Sequence, residues 1–215
     1  APFWDLVQWE IKYYDYEGNE TPLLKVLHDN GINYIRIRIW NDPFNADRET
    51  YGGGGNDVST GVEIAKEAAQ YDMKVLLDFH YSDFWAEPAV QLVPKAWKKD
   101  VNNTEKMCSD VYDFTKESIQ KFKDAGANIG MVQVGNEITN GLLGIYSNRD
   151  KGESFNVIWG DKKKSTEVNK YLKAGIKAVR EYTPQALVAL HLETPNVWKY
   201  KTIMNTWKRD NVDYD

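Results

Sequence analysis

Residues 33–40, Asn-Tyr-Ile-Arg-Ile-Arg-Ile-Trp, alternate strictly, with Ile35, Ile37 and Ile39 on one face and Arg36, Arg38 and Trp40 on the other. Such a strand belongs between an apolar layer and a polar, functional-looking one. Three further segments read as strands: 74–80, where Leu76, Asp78 and His80 share a face; 129–136, where Gln133 and Gly135 lie on the face that Glu137 continues; and 186–192, where His191 shares a face with Glu193. Helix patterns separate them, at 21–30, 59–70, 103–125 and 166–182; the second opens at Ser59 as an N-capped amphipathic helix, and Asp161–Lys164 reads as a solvated approach to the last. Strands alternating with helices predict an α/β fold with a parallel sheet. Polar groups collect at the C-terminal ends of all four strands: Arg38, Trp40 and Asn41; Asp78, His80, Tyr81 and Asp83; Asn136 and Glu137; His191 and Glu193. A (β/α) barrel builds its active site on that rim. A doubly wound sheet would bind its ligand at one switch point, usually through a Gly-rich phosphate loop, and no strand here is followed by one. Gly52–Gly55 precedes a helix and reads as a flexible turn rather than an anion-binding loop.

Composition narrows the function. At 215 residues one domain, 1–215, is the expectation, and no apolar run is long enough to span a membrane. A net charge of -5 has the wrong sign for phosphate backbones, so nucleic acid is not an expected partner. One cysteine, Cys108, and three histidines allow neither an internal disulfide nor a zinc finger, and no metal or cofactor is expected. The start, Ala1-Pro2-Phe3, shows no charged-then-apolar leader, so any signal peptide is expected to be already removed or never present. Aromatic residues reach 13%, enough either for a large core or for flat platforms that suit sugar rings.

Glycoside hydrolysis needs one carboxyl to protonate the departing oxygen and a second to attack the anomeric carbon or activate water. Glu137 is the candidate acid, provided that burial raises its pKa, and Asn136 offers an amide to a sugar hydroxyl; a solvated loop start is the alternative for Glu137. Arg36 and Arg38 project from a strand and need carboxylate partners, either in a site or in a structural salt bridge. His80 fits a hydrogen-bonded core as well as a site, Trp40 and Trp85 fit platforms or core, and Trp97 reads as core.

Four motifs, Gly31-Ile-Asn-Tyr-Ile-Arg-Ile-Arg-Ile-Trp-Asn-Asp-Pro43, Val75-Leu-Leu-Asp-Phe-His-Tyr-Ser-Asp-Phe-Trp-Ala-Glu-Pro88, Val93-Pro-Lys-Ala-Trp97 and Met131-Val-Gln-Val-Gly-Asn-Glu-Ile-Thr-Asn-Gly141, closely resemble the endo-β-1,4-galactanases of glycoside hydrolase family 53. The likeness runs from about Ile11 to the last residue. It implies a (β/α)8 barrel, here incomplete with about four recognisable strands, and a retaining mechanism on the β-1,4-galactan of type I arabinogalactan in pectin, in an extracellular setting. By that resemblance Glu137 is the acid/base, Asn136 precedes it, Arg38 holds the nucleophile ionised, and Asp78, His80, Asp83 and Trp85 line sugar subsites; Trp40 and His191 join them as candidate substrate contacts. The family carries its nucleophilic Glu after the seventh strand, whereas Asn211–Asp215 stands where the sixth should begin, so the nucleophile is expected to be missing and the isolated chain inactive. Residues 1–10 lack the family's opening strand, and Glu193 stands where the family usually has no carboxylate. The alternative is a non-catalytic galactan-binding or split-barrel protein. Either way the open sheet edges call for cover by a complementary chain, a second copy, or Phe3–Trp9 folding back as a strand.

Overall fold

The computed structural model describes residues 6, 7 and 9–215. Four parallel strands, β1 (Tyr34–Ile39), β2 (Lys74–Phe79), β3 (Ile129–Val134) and β6 (Leu187–Ala189), lie side by side in that order; the short β4 (Gly141–Leu142) and β5 (Ile145–Tyr146) form a separate antiparallel hairpin. Helices α1 (Leu23–Asp29), α2 (Val58–Ala69), α3 (Thr104–Asp124), α4 (Asn156–Trp159), α5 (Lys162–Tyr182) and α6 (Val197–Asp210) lie before, between and after the strands. The parallel β/α order is the expected one, an arc of a barrel with its helices outside. Among the described residues no helix is long and apolar enough to cross a membrane.

The alternation in β1 explains which side the helices take. Ile37 and Ile39 are buried, as are Val75, Leu77 and Phe79 of β2 and Val132 and Val134 of β3, against Ala65 and Ala68 of α2, Val111 and Ile119 of α3 and Leu172 and Val179 of α5. Close approach of α5 to β3 depends on Gly175, where a Cβ would stand 2.6 Å from the Tyr81 hydroxyl and 2.8 Å from Val134 Cγ1. On the opposite face the register aligns Arg38, Asp78, Gln133 and Ala189 in one layer, with Arg36, Leu76, Met131 and Leu187 in the layer beneath. That layer carries the polar groups to the rim.

Several boundaries move. The strand expected at 186–192 ends at Ala189, because β3 offers it partners only over Met131–Gln133, so His191 and Glu193 sit on the following loop. Asp57, not Ser59, caps α2 by accepting the Thr60 N–H at 2.9 Å. Helix α5 begins at Lys162, four residues before the expected start: Asp161 accepts the Lys164 N–H at 3.0 Å, and the lysine run forms the first turn. Of the Phe3–Trp9 segment, Phe3, Trp4, Asp5 and Gln8 lie outside the described residues, while Leu6 and Val7 are helical and Trp9 is in a turn, so those three do not extend the sheet.

Candidate active site

Past the end of β3 the backbone turns sharply. Gly135 takes φ +85° and Glu137 takes φ 48°, ψ 47°, a left-handed conformation uncommon for a residue with a Cβ. This turn ends the strand and swings Asn136 and Glu137 onto the rim. What holds it is Gln91, fully buried, whose Nε2 donates to the Asn136 carbonyl at 2.9 Å, to the Glu137 carbonyl at 3.3 Å and to the Glu87 carbonyl at 3.1 Å. From the other side the Ile138 N–H donates to the His191 carbonyl at 3.0 Å.

Beneath Glu137 lies a polar network centred on Asp78, which is 1% exposed. Its Oδ2 accepts from Arg36 Nε at 3.1 Å, and its Oδ1 accepts from Gln133 Nε2. The Asn136 Oδ1 receives Arg36 Nη2 at 2.9 Å, Gln133 Nε2 at 3.1 Å and His191 Nδ1 at 2.8 Å, and its Nδ2 donates to the Ala86 carbonyl at 2.8 Å. Both ends of the Asn136 amide are therefore committed to the protein, which fixes its orientation. His80 Nδ1 accepts the Ala86 N–H at 3.1 Å, which leaves the ring proton on Nε2, 3.3 Å from Asp78 Oδ2. Burial, reinforced by the Arg36 charge, lowers the His191 pKa, so that ring is neutral at pH 7 and donates through Nδ1.

The Glu137 carboxyl is half-buried, and its pKa is raised, first by burial and then by the negative charges of Glu193 and Glu87; His80 and Arg36 pull the other way without reversing it. A carboxyl shifted in this direction is suited to hold a proton for donation. It opens on a cavity of about 660 Å³ shared with Arg36, Arg38, Asp78 and His80. Trp85, Asn136 and His191 also line it.

The two arginines part company here. Arg38 is in register with Asp78, yet its guanidinium is taken by the rim loop: Nη2 donates to the Gly53 carbonyl at 3.3 Å, and the group lies 4.1 Å from the Trp85 ring centroid. The guanidinium that reaches Asp78 and Asn136 is that of Arg36, which slants up from the layer below. Trp40 is fully buried beneath Trp85 and Phe84, so it supports the platform and presents no face to a ligand; this departs from its expected place as a substrate contact. Asp83 likewise leaves the cavity wall. Its Oδ1 accepts the Asp42 N–H at 3.0 Å and its Oδ2 the Lys95 N–H at 2.7 Å, tying two loops together, and burial raises its pKa. Trp97 packs in the core against Phe114. Of the remaining candidates, Asp78, His80, Trp85, Asn136, Glu137 and His191 come together as one site. Gln91 was not anticipated: it lies in an aperiodic loop after Pro88, and nothing in its spacing marks it as buried.

Comparison with known proteins places this arrangement. An endo-β-1,4-galactanase of Bacillus subtilis (strain 168) is 41% identical over 206 residues, covering 95% of this chain and 44% of its own length. An arabinogalactan endo-β-1,4-galactanase of Humicola insolens is 35% identical over 133 residues, 62% of this chain and 37% of the relative. The chain thus spans less than half the length of these relatives. Among solved structures, the Ignisphaera aggregans GH53 catalytic domain superposes with a TM-score of 0.86 at 32% identity, covering all of this chain and 56% of that one. A fungal β-1,4-galactanase superposes with a TM-score of 0.76 at 27% identity, covering 99% of this chain and 60% of that one. The family model for glycosyl hydrolase family 53 matches residues 4–215, nearly the whole sequence, and with the strand-end motifs in place the chain belongs to that family.

Proposed function

We propose that these residues form the acid/base half of a retaining endo-β-1,4-galactanase site, with Glu137 as the group that protonates the departing glycosidic oxygen. The observation that carries this reading is the Glu137 carboxyl itself: it sits at a strand end, on a backbone turn clamped by Gln91, with a pKa raised by burial beside like charges. Arg36, Asp78 and Gln133 fix Asn136, and through it the approach to Glu137. Trp85, stiffened by Arg38, offers a flat face for a sugar ring. In this proposal Arg36 takes the electrostatic role beside the reacting carboxyls that the family resemblance suggested for Arg38. The nucleophilic carboxylate comes from the part of the relatives' length that these 215 residues do not span. Galactan as substrate rests on the relatives named galactanases, and an extracellular setting in pectin breakdown follows from that substrate.

The test uses a polypeptide that carries both carboxylates. Glu137→Ala is expected to lower turnover on unactivated β-1,4-galactan by about 100-fold to 10,000-fold, the usual worth of general acid catalysis, while an aryl galactoside whose leaving group needs no proton loses far less. Equal loss on both substrates would overturn the assignment.

A further inference from the structure

A second group of side chains stands beside the Glu137 cavity, on the loop between β6 and α6. The Glu193 N–H donates to Thr139 Oγ1 at 3.2 Å, two residues past Glu137, so this loop is tied to the segment that carries the candidate acid. The Glu193 side chain is 17% exposed, and its Oε1 lies 3.8 Å from Lys199 Nζ. Its Oε2 is buried with no hydrogen-bond partner among the described residues. A carboxyl oxygen left without a donor is costly, and because the side chain is still partly exposed the carboxyl group is a natural acceptor for a donor that a ligand brings. Five residues on, in the first turn of α6, Trp198 is 61% exposed. Its ring is held in place: Phe155 meets it edge-on with centroids 4.7 Å apart, and Lys199 Nζ stands 6.0 Å from the Phe155 ring centroid. Tyr200 OH donates to the Leu192 carbonyl at 3.1 Å and anchors the start of the helix to the loop. Glu193, Lys199, Phe155 and Trp198 therefore form one continuous run of contacts.

We infer that this loop is a further pyranose-binding subsite, in which a sugar ring stacks on the exposed ring of Trp198 while one of its hydroxyls donates to the partly exposed Glu193 carboxyl group. A pyranose offers this pair of contacts, an apolar C–H face and strong O–H donors, and charge-assisted bonds to a carboxylate are the strong kind. The inference rests on the galactan reading above, because an endo-acting hydrolase holds several sugars on both sides of the bond it cuts. Topology supports it. Trp85 follows β2, Glu137 follows β3 and Trp198 follows β6, and the strands neighbour one another in that order, so the candidate acid lies between Trp85 and Trp198 along the rim.

Titration calorimetry of the 215-residue chain with β-1,4-galactobiose and β-1,4-galactotetraose tests this. Trp198→Ala is expected to weaken tetraose binding about tenfold, or ~1.4 kcal/mol, and Glu193→Ala at least threefold, while Trp198→Phe keeps most of the affinity and biose binding stays at the wild-type level in all three. Thermal melts confirm that the variants are folded. Wild-type affinity for the tetraose in both alanine variants overturns the subsite and leaves the galactan reading standing. If the wild-type chain binds cellotetraose or mannotetraose in place of galactotetraose, the galactan reading falls, and a loss specific to Trp198→Ala with that sugar keeps the subsite for a different hexose; no binding of any of the three removes the subsite.

Discussion

Glu137 is less comfortable in the folded chain than in the unfolded one when it is ionised, since burial and the charges of Glu193 and Glu87 raise its pKa on folding. The native state therefore holds this proton to a higher pH than the unfolded state does, and stability falls as pH rises from the ordinary carboxyl range near about 4 through the raised value. Glu137→Gln, which cannot ionise, is expected to melt at a higher temperature than wild type at pH 7, with the gap closing as the pH is lowered toward about 4; identical melts across that range would show that the site does not strain this carboxyl. Gln91 acts in the opposite sense. Gln91→Ala leaves the carbonyls of Glu87, Asn136 and Glu137 without their shared donor, at a cost of about 1 to 3 kcal/mol for buried polar groups, read from urea unfolding, and it should weaken sugar binding as the Glu137 turn loosens. Glu137, Asp78 and His80 were legible because strand alternation followed by a polar strand end is a strong pattern. Gln91 was not, since a buried loop glutamine carries no period, and the choice between Arg36 and Arg38 was hidden because alternation puts both on one face, whereas in the fold Arg36 reaches Asp78 and Arg38 donates to the Gly53 carbonyl on the rim.

At the scale of elements, the strand–helix order was written in the alternation of apolar residues, whereas the ends of elements depended on single capping groups. Asp161 shows why: three lysines mask the first turn of α5 as a solvated approach, yet one carboxylate bond to the Lys164 N–H starts the helix there. The carboxyl pKa of Asp161 is lowered chiefly by that bond, so the cap is present above the ordinary carboxyl range and weakens as pH falls through the lowered value. Strand β6 was overestimated because six apolar residues in seven look like a strand whether or not a neighbour is there to pair with all of them. Helix α5 also shows how closely the layers meet. Gly175→Ala would drive a methyl against the Tyr81 hydroxyl and Val134, and because Tyr81 is itself held by Thr115 at 2.8 Å there is little room for it to yield. The expected cost is about 1 to 3 kcal/mol, typical of overpacking, seen as a lower urea midpoint with an unchanged slope. A slope change would mean that α5 no longer docks on β3.

For the whole molecule, the parallel order of the sheet followed from the sequence pattern, but what lies beyond its edges did not, because pairing partners of an edge strand leave no mark on the strand itself. The two edges differ. On the outer side of β6, Asp215 covers Val188 in both directions, its N–H donating to the Val188 carbonyl at 3.1 Å and its Oδ2 accepting the Val188 N–H at 2.8 Å, with Arg180 bracing Asp213 and Asp215. On the outer side of β1 no strand is paired among the described residues, and the concave face beside it stays partly open: the Arg36 side chain is 46% exposed although its carboxylate partner is buried. The backbone edge of β1, Tyr34–Ile39, which has no paired strand among the described residues, is a template for another strand, and its arginines do not blunt it, because Arg36 reaches in to Asp78 and Asn136 while Arg38 turns to the Gly53 carbonyl on the rim. Taken alone, the 215-residue chain is therefore expected to associate through β1, giving a light-scattering mass above 24.8 kDa that rises with concentration. A concentration-independent mass of one chain together with a cooperative melt would mean that the β1 edge is already satisfied within the chain.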